Sequence, residues 1–188
     1  MNNLPKASLL LTMCVTLFAC GSSDDPAGAL HRAGDDQTPP TTADASAMTA
    51  WLDAGHYKGW QCEAEPHAAR GPSTHNMNRA CSNDLVSAFD GTATTERPIG
   101  SASVKEFWSD GSIVGRAASV KTADHSAAGD AWFWYVELDG MGVLANGLAS
   151  QDPVAKTACV GCHTSAGSDV DHTTSNHSGD FVYTQVEP

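Results

Sequence analysis

The stretch Cys159-Val160-Gly161-Cys162-His163 constrains this chain more than any other feature. It has the form Cys-x-x-Cys-His, which is the attachment pattern of a c-type haem. Two thiols at this spacing can each add to one vinyl group on a single porphyrin edge, and the imidazole that follows can bind the iron as its proximal ligand. A redox Cys-x-x-Cys pair or half of a zinc site would need a βαβ context or a second ligand pair, and neither is evident. The stretch therefore predicts haem c, with His163 on the iron.

The N-terminal residues read as an export signal. Residues 1–6 carry one positive charge, and residues 7–18 are apolar but too few to span a bilayer. The run Leu17-Phe18-Ala19-Cys20 resembles a bacterial lipobox, in which Cys20 is lipidated, and an ordinary signal peptide cleaved nearby is the alternative. We expect a signal peptide over residues 1–19 and a lipoprotein of the cell envelope. Gly21 after Cys20 favours an anchor in the outer membrane, facing the periplasm.

The remaining cysteines suggest a disulfide. The chain has six cysteines, of which Cys14 lies in the signal peptide, Cys20 in the lipobox and two in the haem motif. Cys62 and Cys81 are left as a pair in a compartment that is oxidising, so a disulfide between them is expected. Two unpaired thiols are the alternative.

Composition divides the exported part into a tether and a domain. Residues 20–47 are rich in Ser, Asp, Pro, Ala and Thr, which predicts a flexible tether. Residues 48–188 hold all five tryptophans and are long enough for one haem domain. The formal net charge of −12 argues against nucleic-acid binding and would attract a cationic redox partner.

Hydrophobic periodicity predicts an α+β fold, mostly antiparallel β-sheet with short helices and one c-type haem attached near the C-terminus. Helices are expected over residues 48–57, over residues 83–89 with Asn83 or Ser82 as N-cap, and from the haem motif onward. Strands are expected over residues 101–108, 113–121, 131–138 and 180–185. Ser109-Asp110-Gly111 is a hairpin signal, and the glycines of residues 139–147 indicate a loop.

Several segments together resemble the cytochrome P460 / cytochrome c′-β family. They occur in order at residues 71–83, 100–108, 110–111, 131–135, 159–167 and 179–184. The first resembles the family's Ser-x-His-Gly, Arg and Asn pattern through His75, Arg79 and Asn83, with Asn76 in place of the usual Gly. The resemblance covers most of residues 57–184.

This resemblance implies an antiparallel sheet that holds haem c, a homodimer in many members, and an open distal iron position. In the c′-β branch, Phe side chains lie near the distal face and the iron binds gases such as NO. In the P460 branch, a strand Lys is cross-linked to the porphyrin and the protein oxidises hydroxylamine. Lys105 aligns with that Lys. The branch's distal carboxylate has no counterpart in residues 164–168, and Asp169 and Asp171 come later. We therefore expect binding of small nitrogen-oxide or diatomic ligands, with a hydroxylamine oxidoreductase and a mono-haem electron-transfer protein as alternatives.

Strand alternation places Lys105 and Phe107 on one face of a strand. Val104, Glu106 and Trp108 would then share the opposite face. If the haem covers the first face, Phe107 caps the distal pocket and Lys105 borders the porphyrin. A solvated Lys105 paired with a carboxylate is the alternative.

Other candidate ligands are less constrained by the sequence. Met141 could serve as a sixth iron ligand, although Met packs far more often than it ligates. His172 and His177 are expected to be exposed, with a minor metal site as the alternative. The positions of His67 and His75 relative to the haem stay undecided.

Overall fold

The computed structural model describes residues 38–69, 75–89, 96–125, 129–164 and 180–182. The helical elements are α1 (Ala45–Asp53), a 3₁₀ turn (His56–Gly59), α2 (Asp84–Ser87), a π-helical turn (Ala155–Val160) and α3 (Gly161–His163). The strands are β1 (Gln61–Cys62), β2 (His67–Ala68), β3 (Met77–Ser82), β4 (Ala102–Ser109), β5 (Ser112–Lys121), β6 (Trp132–Leu138) and β7 (Gly142–Leu148).

The strands form one seven-stranded sheet in the order β1-β3-β4-β5-β6-β7, with β2 also paired to β3. Every pair is antiparallel. Tight hairpins connect β4 to β5 and β6 to β7, and Asp110 takes a left-handed φ of 50° in the first of these turns. The mostly antiparallel α+β architecture expected from the sequence is thus confirmed, whereas haem attachment near its C-terminal end stays a prediction.

One face of the sheet packs against α1 and the 3₁₀ turn. The side chains buried there form the first core: Met48, Trp51, Leu52, Tyr57, Trp60, Cys81, Ala102, Val104, Ala118, Val120, Phe133 and Tyr135. Helix α1 begins where the Asp44 side chain accepts a hydrogen bond from the Ser46 N–H, and its apolar stripe then faces the sheet.

The other face packs against the π-helical turn and the described C-terminal residues. The second core consists of Trp132, Trp134, Ala145, Ala149, Ala155, Cys159, Val160, Phe181 and Val182. Strand β6 contributes alternate side chains to both cores, as expected of a central strand covered on both faces. The haem motif therefore lies against the sheet face that the first core does not use.

Several expected elements are present with shifted ends. The helix expected over residues 48–57 is α1, which ends at Asp53 because Gly55 turns left-handed at φ 71°, and Tyr57 belongs to the 3₁₀ turn. Asn83, rather than Ser82, caps α2 by accepting the Val86 N–H at 3.2 Å. The three strands expected over residues 101–108, 113–121 and 131–138 are β4, β5 and β6.

Other expectations are wrong. Residues 139–147 are not all loop, because β7 pairs along β6 from Gly142 to Leu148. The haem motif does not open a helix, since Cys159 lies inside the π-helical turn and the motif ends the helical segment. Residues 180–182 form a turn rather than a strand, and residues 183–185 lie outside the described ranges. Strand β3 was not expected at all.

The folded part of the chain begins before residue 48. Helix α1 starts at Ala45. The Asn146 side-chain amide donates to the carbonyls of Thr42 and Ala43 at 3.2 and 3.1 Å, and Pro39 is buried. Contacts with the domain thus reach into the segment that composition assigns to the tether. No helix in the described ranges has the length and apolar content needed to cross a bilayer.

The expected disulfide between Cys62 and Cys81 is present. The two residues lie directly opposite each other on β1 and β3, and Cys81 is fully buried in the first core. The bond ties the short edge strand β1 to the sheet, where only two residues of β1 are paired.

We expect loss of this disulfide to destabilise the protein. The cysteines are 19 residues apart, and closing a loop of that size lowers the entropy of the unfolded chain enough to contribute about 3 kcal/mol. Urea unfolding followed by tryptophan fluorescence should show a decrease of about that size for Cys62→Ala with Cys81→Ala. Reductant should lower the wild-type midpoint and leave that of the double variant unchanged. Equal midpoints for oxidised and reduced wild type would contradict this.

Candidate functional site

A cavity of about 900 Å³ lies on the sheet face next to the haem motif. Its walls include residues from β4, β5 and β6 together with the helical segment of the motif. The lining side chains on which the site depends are His75, Lys105, Phe107, Ala117, Ser119, Trp134, Met141, Cys159, Cys162, His163 and Val182. This volume is near the upper end of the roughly 300–1,000 Å³ typical of cofactor and small-molecule pockets.

Small residues on β5 leave room for the cavity. Ala117 and Ser119 lie opposite Lys105 and Ser103 of β4, and both face the cavity. Further along β5, Gly115 lies beside Phe107, and a Cβ at Gly115 would come within 3.1 Å of the Phe107 ring. Larger side chains along this part of β5 would fill the space that the cavity occupies.

The helical segment that carries the motif is fixed to β7 by Asp152. One Asp152 carboxylate oxygen accepts the N–H groups of Val154 and Ala155 at 2.7 and 3.0 Å. The other oxygen accepts the Asn146 N–H of β7 at 2.8 Å. This carboxylate satisfies backbone donors at the start of the segment and holds it against the edge of the sheet.

The motif's two thiols are both free and differ in exposure. Cys159 is buried in the second core, whereas Cys162 is exposed. Both side chains line the cavity. Burial, followed by the Asp152 carboxylate and Cys162, raises the pKa of Cys159 to about 11.

The His163 imidazole is oriented by a backbone carbonyl. Its Nδ1 lies 2.7 Å from the Phe181 carbonyl oxygen, which can only accept, so Nδ1 is the protonated nitrogen. The Nε2 atom then carries the lone pair, which is the arrangement found where a metal-ligating His donates its other N–H. The Trp134 ring packs beside the imidazole with 4.7 Å between ring centroids.

Lys105 and Phe107 share the cavity face of β4, in agreement with the expected alternation. Glu106 points to the opposite face, where its carboxylate accepts from Tyr57 at 2.7 Å and Arg79 at 2.9 Å. The Trp108 indole also donates to Glu106, at 3.2 Å. The strand register shifts between Phe107 and Trp108, and Trp108 lines the cavity as well, so the expected alternation holds only up to Phe107.

The two undecided histidines lie in different places. The His75 ring stacks on Phe107 with a centroid distance of 5.1 Å, and its centroid is 6.5 Å from that of His163. Burial, followed by Lys105 and His163, lowers the pKa of His75 to about 3, so the ring is neutral near pH 7. His67 pairs instead with Glu63 at 2.9 Å, and it does not line the cavity.

Met141 lies in the turn between β6 and β7 at the rim of the cavity, and 67% of its surface is exposed. Five residues named from the sequence lie outside the described ranges: Cys20, Asp169, Asp171, His172 and His177. Within the described ranges, no group of three or more His, Cys, Asp or Glu side chains is arranged to hold a metal ion.

Sequence reasoning did not find Trp134 or the Phe181 carbonyl. The signal for Trp134 was available, because alternation along residues 131–135 puts Trp132 and Trp134 on one face. The Trp134 Nε1 is buried and has no hydrogen-bond acceptor among the described residues. A buried donor of this kind in a cavity wall suits a ligand that carries an acceptor.

We expect the two motif thiols to react at different rates in protein prepared without haem. At pH 8, iodoacetamide should alkylate Cys162 at least about 10-fold faster than Cys159, because the thiolate is the nucleophile and burial keeps Cys159 protonated. Peptide mass spectrometry over a time course measures both rates. Equal rates would contradict the burial of Cys159, and protein carrying attached haem should be alkylated at neither position.

Comparison with protein-family models, with curated proteins and with solved structures finds no match to this chain.

Proposed function

We propose that this chain is a c-type haem protein whose iron, bound by His163, keeps an open distal position for NO or a similar diatomic or nitrogen-oxide ligand. The observation that carries the proposal is the meeting of both motif thiols and a pre-oriented imidazole at one cavity. When bound, the haem would supply an iron that coordinates the small ligand.

The residues around the cavity fit such a group. Cys159 and Cys162 are unbridged and line the same cavity, so each is available for a thioether bond. His163 presents Nε2 while Phe181 holds Nδ1. The buried Trp134 Nε1 could donate to a haem carboxylate. This donor set suits haem better than a zinc ion, which takes four protein ligands in a structural site.

Apolar side chains in the cavity wall favour a neutral ligand. Phe107, Val136 and Trp134 line the cavity, and a small uncharged molecule loses little hydration on entering such a space. Phe107 would limit access to the distal face, because its ring is confined between His75 and Gly115. A cationic protein could deliver electrons, guided by the net charge of −12.

A second candidate, hydroxylamine oxidation, is favoured by Lys105. Its side chain lines the cavity, as a cross-linking Lys in the P460 branch would. The chemistry would also need a carboxylate that removes protons, and no Asp or Glu occurs in residues 164–168.

A third candidate, electron transfer with a six-coordinate iron, is favoured by His75. If His75 and His163 both held one metal ion through bonds as long as the roughly 2.0–2.1 Å of zinc–histidine bonds, their ring centroids would be roughly 6–6.5 Å apart. The observed 6.5 Å between His75 and His163 lies within that range. Met141 is a weaker candidate, because it is mostly exposed at the rim.

The proposal includes a place in the cell envelope. We propose that Cys20 carries a lipid anchor in the outer membrane and that the domain faces the periplasm, where haem c is attached and disulfides persist. The Cys62–Cys81 disulfide supports an oxidising compartment. A homodimer, as in many members of the resembling family, is proposed as its assembly.

Covalent attachment can be tested by extraction. Acid–acetone should leave the haem on the wild-type protein and remove all haem from Cys159→Ala with Cys162→Ala, because only thioether bonds resist the solvent. The matched control is Cys62→Ala with Cys81→Ala, which also lacks two cysteines and should retain its haem. Complete loss of haem from wild type would show that the attachment proposal is wrong.

Absorption spectra separate the three functions. We expect the ferrous wild type to be high-spin and five-coordinate and to bind one NO per haem, and Met141→Ala and His75→Ala to remain high-spin. The intact mass should equal polypeptide, lipid and one unmodified haem.

Two results would favour the other candidates. A low-spin wild type that becomes high-spin in His75→Ala would favour electron transfer. A Lys105–porphyrin peptide, together with hydroxylamine-dependent reduction of an acceptor, would favour the oxidoreductase.

A further inference from the structure

The carbonyl that orients His163 comes from an unusual turn. Asp180 and Phe181 are consecutive residues with left-handed φ angles of 46° and 65°. Side chains other than Gly are uncommon in this region, and a bulky aromatic there is costly. Two such residues in succession persist only when surrounding contacts fix them. The turn is thus held by interactions outside its own backbone.

The Asp180 carboxylate supplies those interactions. One of its oxygens accepts the Arg97 backbone N–H at 2.6 Å and the Lys121 ammonium at 2.8 Å. The other lies 3.5 Å from the Trp132 indole nitrogen. The side chains of Asp180 and Lys121 are 1% and 0% exposed, so the ion pair is shielded from water and salt. Asp180 is therefore attached to the ends of β5 and β6 at once.

The Phe181 side chain fixes the same turn from the other direction. It is buried in the second core, where Gly129 also approaches it: a Cβ at Gly129 would lie 3.3 Å from the Phe181 ring and 2.6 Å from Val160. Because the Asp180 carboxylate and the Phe181 ring are both held by buried contacts, the peptide between residues 181 and 182 has little freedom. Its carbonyl oxygen is 2.7 Å from His163 Nδ1.

We propose that Asp180 is the positioning residue for His163: its buried contacts with Lys121 and Arg97 hold the left-handed turn that directs the Phe181 carbonyl to the imidazole. This inference rests on the proposed function where it concerns iron. The carbonyl keeps the proton on Nδ1, leaves Nε2 for the metal, and increases the basicity of the imidazole by accepting its N–H. A more basic axial ligand favours ferric over ferrous iron.

A purely structural ion pair would affect stability alone. A positioning role also changes the iron–His bond and the reduction potential. Glu96 provides a matched control, because it pairs with the same Lys121 ammonium at 2.7 Å and its side chain is 41% exposed. Glu96→Gln thus removes one negative charge beside the Lys121 ammonium and leaves the Asp180 side chain unchanged.

The experiment compares full-length, haem-loaded wild type with Asp180→Ala, Asp180→Asn and Glu96→Gln. In the two Asp180 variants, the iron–His stretching band of the ferrous protein in resonance Raman should move to lower frequency, and the reduction potential should rise. Both changes should be larger in Asp180→Ala than in Asp180→Asn. Glu96→Gln should match wild type in both. Haem retained through acid–acetone in all four shows that attachment itself is unaffected.

The outcomes distinguish the inference from the proposed function. The inference would be overturned if the Asp180 variants kept the wild-type stretching frequency and reduction potential, or if Glu96→Gln changed both as much as they do. Neither result would contradict the proposed haem binding. If Asp180→Ala does not accumulate, Asp180→Asn against Glu96→Gln decides the question in the same way. If wild type holds no haem, the proposed function fails, and ¹⁵N NMR of His163 still tests the turn. The inference is supported if the His163 Nδ1 is protonated in wild type and this preference for Nδ1 is lost in Asp180→Asn. Any other pattern contradicts it.

Discussion

The structure depends on the alternation of side chains along the central strand β6, which is covered on both faces. Phe133 and Tyr135 enter the first core, while Trp132 and Trp134 enter the second. If β6 slipped by one residue relative to its neighbours, the two pairs of side chains would exchange faces, and each aromatic ring would lose its packing partners. The neighbouring strand accommodates this density with small residues, since Ala118 lies opposite Tyr135 and Ser119 opposite Trp134. On the cavity face of β5, Ser119 and Ala117 also leave the space in which the cavity forms.

Ion pairs that include a buried carboxylate add side-chain contacts where distant segments join the sheet. On the first-core face, the fully buried Glu106 accepts from Tyr57 and Arg79, which come from the 3₁₀ turn and β3. On the opposite face, Lys121 and Asp180 join β5 to the C-terminal turn. Removing one member of such a pair leaves an uncompensated buried charge, at a cost of about 3–5 kcal/mol. Each pair therefore specifies where its segment docks.

The sequence predicted features with local causes and missed those with distant ones. The β4–β5 hairpin follows from Asp110-Gly111, and β6 follows from its run of aromatic and β-branched residues. The shared cavity face of Lys105 and Phe107 follows from the alternation alone. Gly142 and Gly147 are poor strand formers and therefore indicate a loop, yet β7 forms because the edge of β6 offers backbone partners that outweigh this propensity.

Two further misses have the same origin. Strand β3 has a polar sequence, and it forms because β4 and the Cys62–Cys81 bond hold it between them. Residues 180–182 have strand-like composition, but the Asp180 carboxylate is captured by Lys121 and Arg97, which fixes a left-handed turn instead. In both places the deciding partner is far along the chain, where single-sequence periodicity carries no information.

The five residues of the Cys-x-x-Cys-His motif determine only part of the site. Five consecutive residues supply two thiols and one imidazole, and a sequence pattern suffices to find them. The remaining properties of the site come from elsewhere: the Phe181 carbonyl sets the proton on His163, whereas the cavity is lined by Lys105 and Phe107 of β4 and by His75, two residues before β3. Under the proposed function, the two sides of the iron are thus built by segments that share no residue. Ligand access and the basicity of the axial imidazole can then vary independently, and proteins with the same motif can differ in chemistry.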